Sequence, residues 1–196
     1  NVKKCKNGLL EVENDISRQR RKDVIERYNE ITKNKGTNKE IIEEKYVYPM
    51  LGGRNIEKWR IKSNEFIIVP HDKENVYGIP ESDLGINAYR TYNMLDQYRE
   101  VLLKTRIQNG KFFNEKTQPF YRLDNVGEYT FSKYKVLWKE QTGKMSAVAI
   151  SSFRESIDEK EEIFSNDKPI VVDSKVLTLS LDTIEEAYYV SGILNS

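Results

Sequence analysis

Apolar positions along the chain separate a polar, helical N-terminal segment from a longer region in which strands and helices follow one another. Over residues 1–45 the apolar side chains recur at helical spacing and form one narrow stripe, made of Ile16, Val24, Tyr28 and Ile31. Gly36 is a typical residue at the end of such a helix. The sequence Thr37-Asn38-Lys39-Glu40 then matches a capping box, which predicts a second short helix to about Lys45.

Beyond residue 46, β-branched and aromatic residues cluster in short runs bounded by turns. Gly52-Gly53 marks one turn, and the apolar run at 66–69 ends at Pro70. Further strands are predicted in three segments of the same composition: 134–139, 145–151 and 169–181. An acidic loop at 155–167 separates the last two of these strands.

Helical spacing returns in two places of this longer region. Residues 87–107 place five apolar side chains on one helix face, namely Ala88, Tyr92, Leu95, Tyr98 and Leu102. A second capping box, Thr183-Ile184-Glu185-Glu186, opens a last helix. The apolar face of that helix consists of Ile184, Ala187, Tyr188 and Leu194. It reaches Ser196 without a stop signal, which favours a natural chain that continues, with a frayed terminus as the alternative.

Together these elements predict an α+β fold, with a mixed or partly open barrel-like sheet and helices packed at its ends. We divide the chain into an N-terminal helical segment, residues 1–45, and a main domain, residues 46–196. The 32 basic and 31 acidic residues nearly cancel, so the whole molecule has no strong field toward a polyanion. Residues 104–148 nevertheless contain nine basic and four acidic residues, which makes the middle of the chain locally basic.

Composition also restricts the chemistry. The single cysteine, Cys5, and the single histidine, His71, exclude an internal disulfide and give no zinc-ligand set. We expect His71 to be a solvated loop residue. No apolar run approaches the roughly 20 residues that span a bilayer, and no signal peptide is recognisable, so we expect a cytoplasmic protein without membrane contact.

Catalytic motifs are missing from the sequence. The five prolines are isolated, so there is no Asn/Asp-Pro-Pro-aromatic turn for a flipped base, and no glycine-rich cofactor or phosphate loop is present. Acid-x-Lys pairs, which magnesium-dependent nucleases place on a strand, occur three times: Glu43/Lys45, Asp158/Lys160 and Asp173/Lys175. The last pair supports an alternative in which the chain is a nuclease fragment. Random placement of so many acidic residues and lysines would, however, give about the same number of such pairs.

Two groups of basic residues are candidates for DNA contact. The turn at 52–60 presents Arg54, Asn55, Lys58 and Arg60 beside Trp59, and arginine and asparagine can bind guanine and adenine edges. The second group lies among the aromatic residues of 119–144 and consists of Arg122, Lys133, Lys135, Lys139 and Lys144. Alternation in the strand 134–139 predicts that Tyr134, Val136 and Trp138 face the core, and that Lys135 and Lys139 are exposed.

Four separated blocks then resemble a known family, in matching order. They are YPMLGGRNI at 48–56 followed by WRI at 59–61, PFY at 119–121 with NVGEYTF at 125–131, YKVLW at 134–138, and EEAYYVSGILNS at 185–196. This arrangement resembles the TaqI-type specificity domain, the C-terminal target-recognition part of adenine-specific DNA methyltransferases of bacterial restriction-modification systems. Such proteins often have histidine after the aspartate of the late strand, where this chain has Ser174.

The resemblance implies a module that recognises a short sequence in double-stranded DNA and has no cofactor of its own. A catalytic domain of the same parent chain would bind S-adenosylmethionine and methylate a flipped adenine. Whether the parent also cleaves DNA stays open. A third interpretation is a docking module in which the helix at 87–107 binds another subunit.

Overall fold

The computed structural model describes residues 2–17, 19–62, 65–109, 113–141, 143–156 and 163–196. The strands are β1 (Val2–Lys4), β2 (Leu9–Glu13), β3 (Lys39–Glu43), β4 (Val47–Leu51), β5 (Ile56–Glu57), β6 (Arg60–Ile61), β7 (Glu65–Ile68), β8 (Tyr134–Lys139), β9 (Ala147–Ile150), β10 (Val171–Val172) and β11 (Val176–Leu181). The helices are α1 (Lys22–Lys35), α2 (Glu81–Asn87), α3 (Tyr89–Asp96), α4 (Arg99–Asn109), α5 (Phe153–Ser156) and α6 (Ile184–Asn195). Short 3-10 turns span Glu44–Tyr46, Gly53–Asn55 and Glu128–Phe131.

The chain forms two compact units. Asn1–Tyr46 and Val69–Asn125 make up the first unit, and Val47–Ile68 and Val126–Ser196 make up the second. The functional division proposed from the sequence, at residues 45 and 46, is a separate matter and stays a prediction.

The first unit contains an antiparallel sheet in the order β1-β2-β3. Leu10 of β2 lies opposite Ile42 of β3, and both side chains are fully buried. Between these strands, α1 ends at Gly36, which adopts φ 70° and donates its N–H to the Thr32 carbonyl. The predicted helix end at Gly36 is therefore confirmed. The helical prediction for the rest of residues 1–45 is wrong, because pairing with a distant strand buries the apolar residues of β2 and β3.

The predicted capping box at Thr37 is also wrong. The Thr37 hydroxyl accepts from the Lys39 N–H at 3.1 Å, while the Glu40 carboxylate forms an ion pair with Lys35. Residues 39–43 then pair with β2 along the whole length of β3. Strand pairing and burial of Ile42 outweigh the local helix signal.

The long helix predicted at 87–107 is divided into α3 and α4, and α2 precedes it. Glu43 explains where α3 begins. Its carboxylate accepts from the N–H groups of Arg90 and Thr91 at 3.1 and 2.7 Å, and from the Thr91 hydroxyl at 2.6 Å. These bonds satisfy N–H groups at the start of the helix, so α3 begins where Glu43 reaches it.

The second unit is built from small sheets and the helices α5 and α6. The order β10-β4-β7 combines a parallel pair with an antiparallel pair, and the order β11-β8-β9 is antiparallel. Strands β5 and β6 form a separate hairpin. The predicted α+β class and the mixed sheet are confirmed, and the described strands form no closed barrel.

Helix α6 covers one face of the β11-β8-β9 sheet. Its predicted capping box is confirmed, because the Thr183 hydroxyl accepts from the Glu186 N–H at 3.2 Å and the Glu186 carboxylate accepts from the Thr183 N–H at 3.1 Å. Ala187, against Val136 of β8, belongs to the buried core. The predicted burial of Tyr188 is wrong, since the inward face repeats every four residues as Ala187, Ser191 and Asn195.

None of the helices in the described parts of the chain combines the length and the apolar character needed to cross a membrane.

Candidate nucleic-acid interface

The β5–β6 hairpin presents an exposed tryptophan between two basic residues. Lys58 and Trp59 form its two-residue turn, because Glu57 pairs with Arg60 across the strands. Trp59 adopts φ 69°, in the left-handed region that bulky residues rarely occupy, and its side chain is 56% exposed. The two-residue turn requires a positive φ, and a bulky residue there costs on the order of 1–2 kcal/mol relative to glycine. Trp59 lies beside the contact residues predicted from the sequence but is not one of them.

The hairpin is anchored beneath its exposed turn. Ile56 is fully buried, and the Trp59 N–H donates to the Ala147 carbonyl at 3.4 Å. The Asn195 side chain accepts from the Ala147 N–H at 2.9 Å and donates to the Ala147 carbonyl at 2.7 Å. Lys58 Nζ donates to the Asn195 carbonyl at 2.7 Å. The end of α6 and strand β9 therefore hold the hairpin, an arrangement that no local sequence signal could indicate.

Arg60 is the most available cation of the hairpin. Its side chain is exposed on β6, and within the described ranges it has no hydrogen-bond or ion-pair partner. Lys58 is exposed, but its ammonium group donates a hydrogen bond to the Asn195 carbonyl, and its Nζ lies 5.8 Å from the centroid of the Trp59 ring. A free guanidinium beside an exposed indole can contact phosphates and base edges.

The Gly52–Asn55 turn lies before the hairpin. Asn55 stabilises it, because its Oδ1 accepts from the Gly52 N–H at 2.8 Å and its N–H donates to the Gly52 carbonyl at 2.9 Å. A bidentate contact of Asn55 with adenine would require this cap to open. Arg54 is exposed and forms an ion pair with Glu65, so DNA would compete with an intramolecular carboxylate.

Asp173 supports the same turn from the β10–β11 connection. Its N–H donates to the Leu51 carbonyl at 2.9 Å, and its Oδ1 accepts from the Lys175 N–H at 2.8 Å. A Cβ added to Gly52 would lie 2.8 Å from Asp173 Oδ2, and one added to Gly53 would lie 3.5 Å from the Lys175 carbonyl oxygen. A larger residue at position 52 therefore requires the Asp173 carboxylate to shift.

This arrangement removes the geometric basis of the nuclease alternative. Asp173 and Lys175 lie in a turn whose hydrogen bonds use the Asp173 carboxylate, whereas the nuclease geometry needs both residues on a strand. The Glu43 carboxylate accepts from α3, and the Asp158/Lys160 pair lies outside the described residues. Among the described residues, no group of three or more His, Cys, Asp or Glu side chains is placed to bind a metal ion.

The lysines around strand β8 have different environments. Lys139 is half-buried, and its Cγ lies 4.0 Å from a Cβ added to Gly53, which places it beside the Gly52–Asn55 turn. Lys144 is exposed in the β8–β9 connection. Lys133 is exposed at the other end of β8, about 20 Å from Lys139 at the usual rise of a strand. Lys139, but not Lys133, therefore adjoins the Gly52–Asn55 turn.

Lys135 is not exposed as predicted. It is 1% exposed, and its Nζ donates to the Thr130 carbonyl at 2.8 Å and to the Ile170 carbonyl at 2.7 Å. Burial lowers the pKa of the Lys135 amine to about 7. The prediction fails because β8 is the central strand of its sheet and both of its faces are covered, so alternation does not separate core from solvent.

Arg122 and His71 also differ from their predicted exposure. Both are buried, and both belong to the first unit, whereas the hairpin residues belong to the second. Arg122 Nη1 donates to Gln118 Oε1 at 2.5 Å, and its guanidinium lies 4.9 Å from the centroid of the Tyr77 ring. These contacts fix the guanidinium inside the unit, which explains why Arg122 is not a surface residue.

We call the exposed surface formed by Arg54, Lys58, Trp59, Arg60 and Lys139 the hairpin surface. It joins three of the four residues predicted in the 52–60 turn with one from the second group. No protein-family model and no curated protein sequence matches this chain. The resemblance to the TaqI-type specificity domain therefore stays a prediction, and the case for function depends on the chemistry of the hairpin surface.

Proposed function

We propose that the chain is a module for recognising double-stranded DNA, within a bacterial restriction-modification adenine methyltransferase of the cytoplasm. The observation behind this proposal is the exposed, left-handed Trp59 next to Arg60. Glycine would close this turn without steric cost, whereas an indole and a free guanidinium together suit contact with sugars, bases and phosphates. The resemblance of four sequence blocks supports the same class of function.

In this proposal Arg60 and Lys139 contact phosphates, and Trp59 contacts a base or sugar. Arg54 leaves its ion pair with Glu65 to contact DNA, while the hydrogen bonds of Lys58 and Asn55 stabilise the backbone of the surface. Methylation itself, with S-adenosylmethionine, belongs to a catalytic domain of the parent chain. The second unit has twelve basic residues, from Arg54 to Lys175, and fourteen acidic residues, of which nine lie at 155–167 and 182–186. Binding therefore depends on local charge.

Fluorescence anisotropy with a labelled duplex of random sequence tests the proposal. We expect binding at low salt that weakens with a slope of about 0.9 per phosphate contact on logarithmic axes. Arg60→Gln lowers affinity and reduces this slope by about one. Lys6→Gln, at an exposed lysine of the first unit, is the matched control and leaves the slope unchanged. No binding by the wild type, or equal loss in both variants, contradicts the proposal.

Specificity requires a second experiment. Repeated selection of binding sequences from a random duplex pool should yield a short consensus that contains adenine. Trp59→Ala should weaken binding to the selected duplex, whereas Tyr189→Ala, at another exposed aromatic residue of the second unit, should not. Glu65→Gln should strengthen binding several-fold, because it releases Arg54 from its ion pair. A pool that shows no enrichment contradicts sequence recognition even if duplexes bind.

A further inference from the structure

Two arginines and one histidine form a cluster within the first unit, because Arg106 and Arg122 both contact Asp124 and His71 Nε2 accepts from the neighbouring Leu123 N–H. His71 precedes α2, Arg106 lies in the last turn of α4, and Arg122 follows Pro119 in the next described loop. His71 is 1% exposed and Arg122 is 8% exposed, and the Arg106 side chain is 18% exposed. Two guanidinium groups with so little exposure are rarely placed together in a protein interior unless they bind an anion.

Two buried N–H groups of this cluster have no acceptor among the described residues. The Leu123 N–H donates to His71 Nε2 at 3.1 Å, so the proton of the neutral ring is on Nδ1. His71 Nδ1 is buried and has no partner among the described residues, and the same holds for Arg106 Nε. Buried N–H groups are almost always paired in folded proteins, so two in one cluster need an explanation.

The charges of the two arginines affect the protonation of His71. Burial and then the positive charges of Arg106 and Arg122 lower the pKa of His71 to about 4. Burial also lowers the pKa of Arg106, against the opposing effect of Asp124 and with a further contribution from the charge of Arg122. His71 is therefore a neutral N–H donor at physiological pH, beside two guanidinium groups.

Asp124 is the carboxylate that reaches both arginines. Its oxygens lie 3.3 Å from Arg106 Nη1 and 3.6 Å from Arg122 Nη2, and its side chain is 60% exposed. Both distances are long for a charge-assisted hydrogen bond. Gln118 and Tyr77 hold the Arg122 guanidinium in position, so the arginine is preorganised while the acid is loosely held.

From this geometry we infer that Arg106, Arg122 and His71 form a binding site for one phosphate-type oxyanion, and that Asp124 occupies the arginines until the anion displaces it. Guanidinium groups bind the oxygens of a tetrahedral phosphate in pairs, and the His71 Nδ1–H supplies a neutral donor. The phosphate could be free in solution or part of a nucleic-acid backbone. The site does not depend on the proposed function, because none of its residues lies in the hairpin surface.

Isothermal titration with inorganic phosphate, at constant ionic strength in sodium chloride, tests this inference. We expect binding by the wild type, several-fold tighter binding by Asp124→Asn, and at least roughly tenfold weaker binding by Arg106→Gln. Arg20→Gln, at an exposed arginine of the same unit, is the matched control and should bind like the wild type. Opposite effects of the acid and arginine substitutions are not expected from a general change in surface charge.

A spectroscopic measurement keeps the inference testable if Arg106→Gln does not fold. His71 is the single histidine of the chain, so its ring nitrogens can be assigned in ¹⁵N spectra without ambiguity. Phosphate should shift the Nδ1 resonance, and chloride at the same ionic strength should not. The inference is overturned if neither the wild type nor Asp124→Asn shows phosphate-dependent heat or a shift of Nδ1.

The source of the phosphate is decided by adding duplex DNA. If duplex binding weakens in Arg106→Gln together with phosphate binding, the site takes a backbone phosphate. If phosphate binding is lost while duplex binding is unchanged, the site takes a free phosphate or a phosphomonoester. Both results support an oxyanion site. They also show whether the oxyanion site contributes to the proposed DNA recognition.

Discussion

The β5–β6 hairpin and strand β8 contain the same kinds of side chain, basic residues next to aromatic ones, and the fold places them in opposite environments. In the hairpin, Trp59 and Arg60 are exposed, and the backbone of Trp59 is strained. In β8, Lys135 is buried and donates to two carbonyl groups. The hairpin is an isolated pair of short strands, whereas β8 lies between β9 and β11 under α6. A basic and aromatic composition therefore does not by itself indicate a binding surface.

The largest expected effect concerns Lys135 and pH. Its folded pKa, about 7, is below the ordinary lysine value, so the unfolded chain binds more protons between about pH 7 and 10. Stability should therefore rise with pH in this window, by roughly 1 kcal/mol per pH unit. Urea unfolding between about pH 7.5 and 9 measures this slope. The upper limit avoids ionisation of tyrosines, since burial raises the pKa of Tyr121 and thus reverses the trend at higher pH.

Two substitutions separate Lys135 from the other lysines. Lys135→Met should abolish the rise of stability with pH, while Lys133→Met, at the exposed residue just before the same strand, should retain it. If Lys133→Met flattens the curve and Lys135→Met does not, the contrast between buried and exposed lysines is wrong.

An intermediate effect is expected at Gly52. Gly52→Ala places a methyl group against the Asp173 carboxylate, and overpacking of this kind costs about 1–3 kcal/mol. Gly53→Ala meets only ordinary contacts and should change stability by less than about 0.5 kcal/mol. Chemical denaturation of both variants tests the difference. Combining Gly52→Ala with Asp173→Ser should recover part of the loss, and simple additivity of the two substitutions would refute the steric explanation.

The smallest expected effect isolates the strain at Trp59. Trp59→Gly and Trp59→Ala both remove the indole, but only glycine adopts φ 69° without steric cost. The glycine variant should be more stable than the alanine variant by about 1 kcal/mol, and both should lose DNA affinity equally. Thermal unfolding and anisotropy measure the two quantities. Equal stability of the two variants would show that the left-handed backbone stores no strain.

Two capping-box sequences show how far local patterns predict this fold. Thr183 opens a helix as predicted, because the apolar residues after it recur at helical spacing and pack on β8 and β9. Thr37 is followed by Glu40 in the same way, yet β3 forms there because Ile42 is buried opposite Leu10. Similarly, the predicted helix at 87–107 is interrupted because Glu43, distant in sequence, determines where α3 begins. Local signals fail where a distant partner satisfies the same backbone groups.

The same contrast between local signals and distant partners applies to the candidate DNA-contact residues. The exposure of Arg54, Lys58 and Arg60 was predictable from a glycine turn between polar residues. The buried positions of Lys135, Arg122 and His71 were not, because alternation and loop position do not show how many faces of an element are covered.

By itself, the sequence determined the α+β class, the positions of β7, β8, β9 and α6, the end of α1 at Gly36, and the basic turn at 52–60. These features depend on spacing, caps and turns, whose physics acts within a few residues. Only the tertiary structure decided which cations are buried, how Asn195 and Ala147 hold the Trp59 turn, and that Arg106, Arg122 and His71 lie together. Those outcomes depend on desolvation and on hydrogen bonds between residues that are distant along the chain, which no local pattern records.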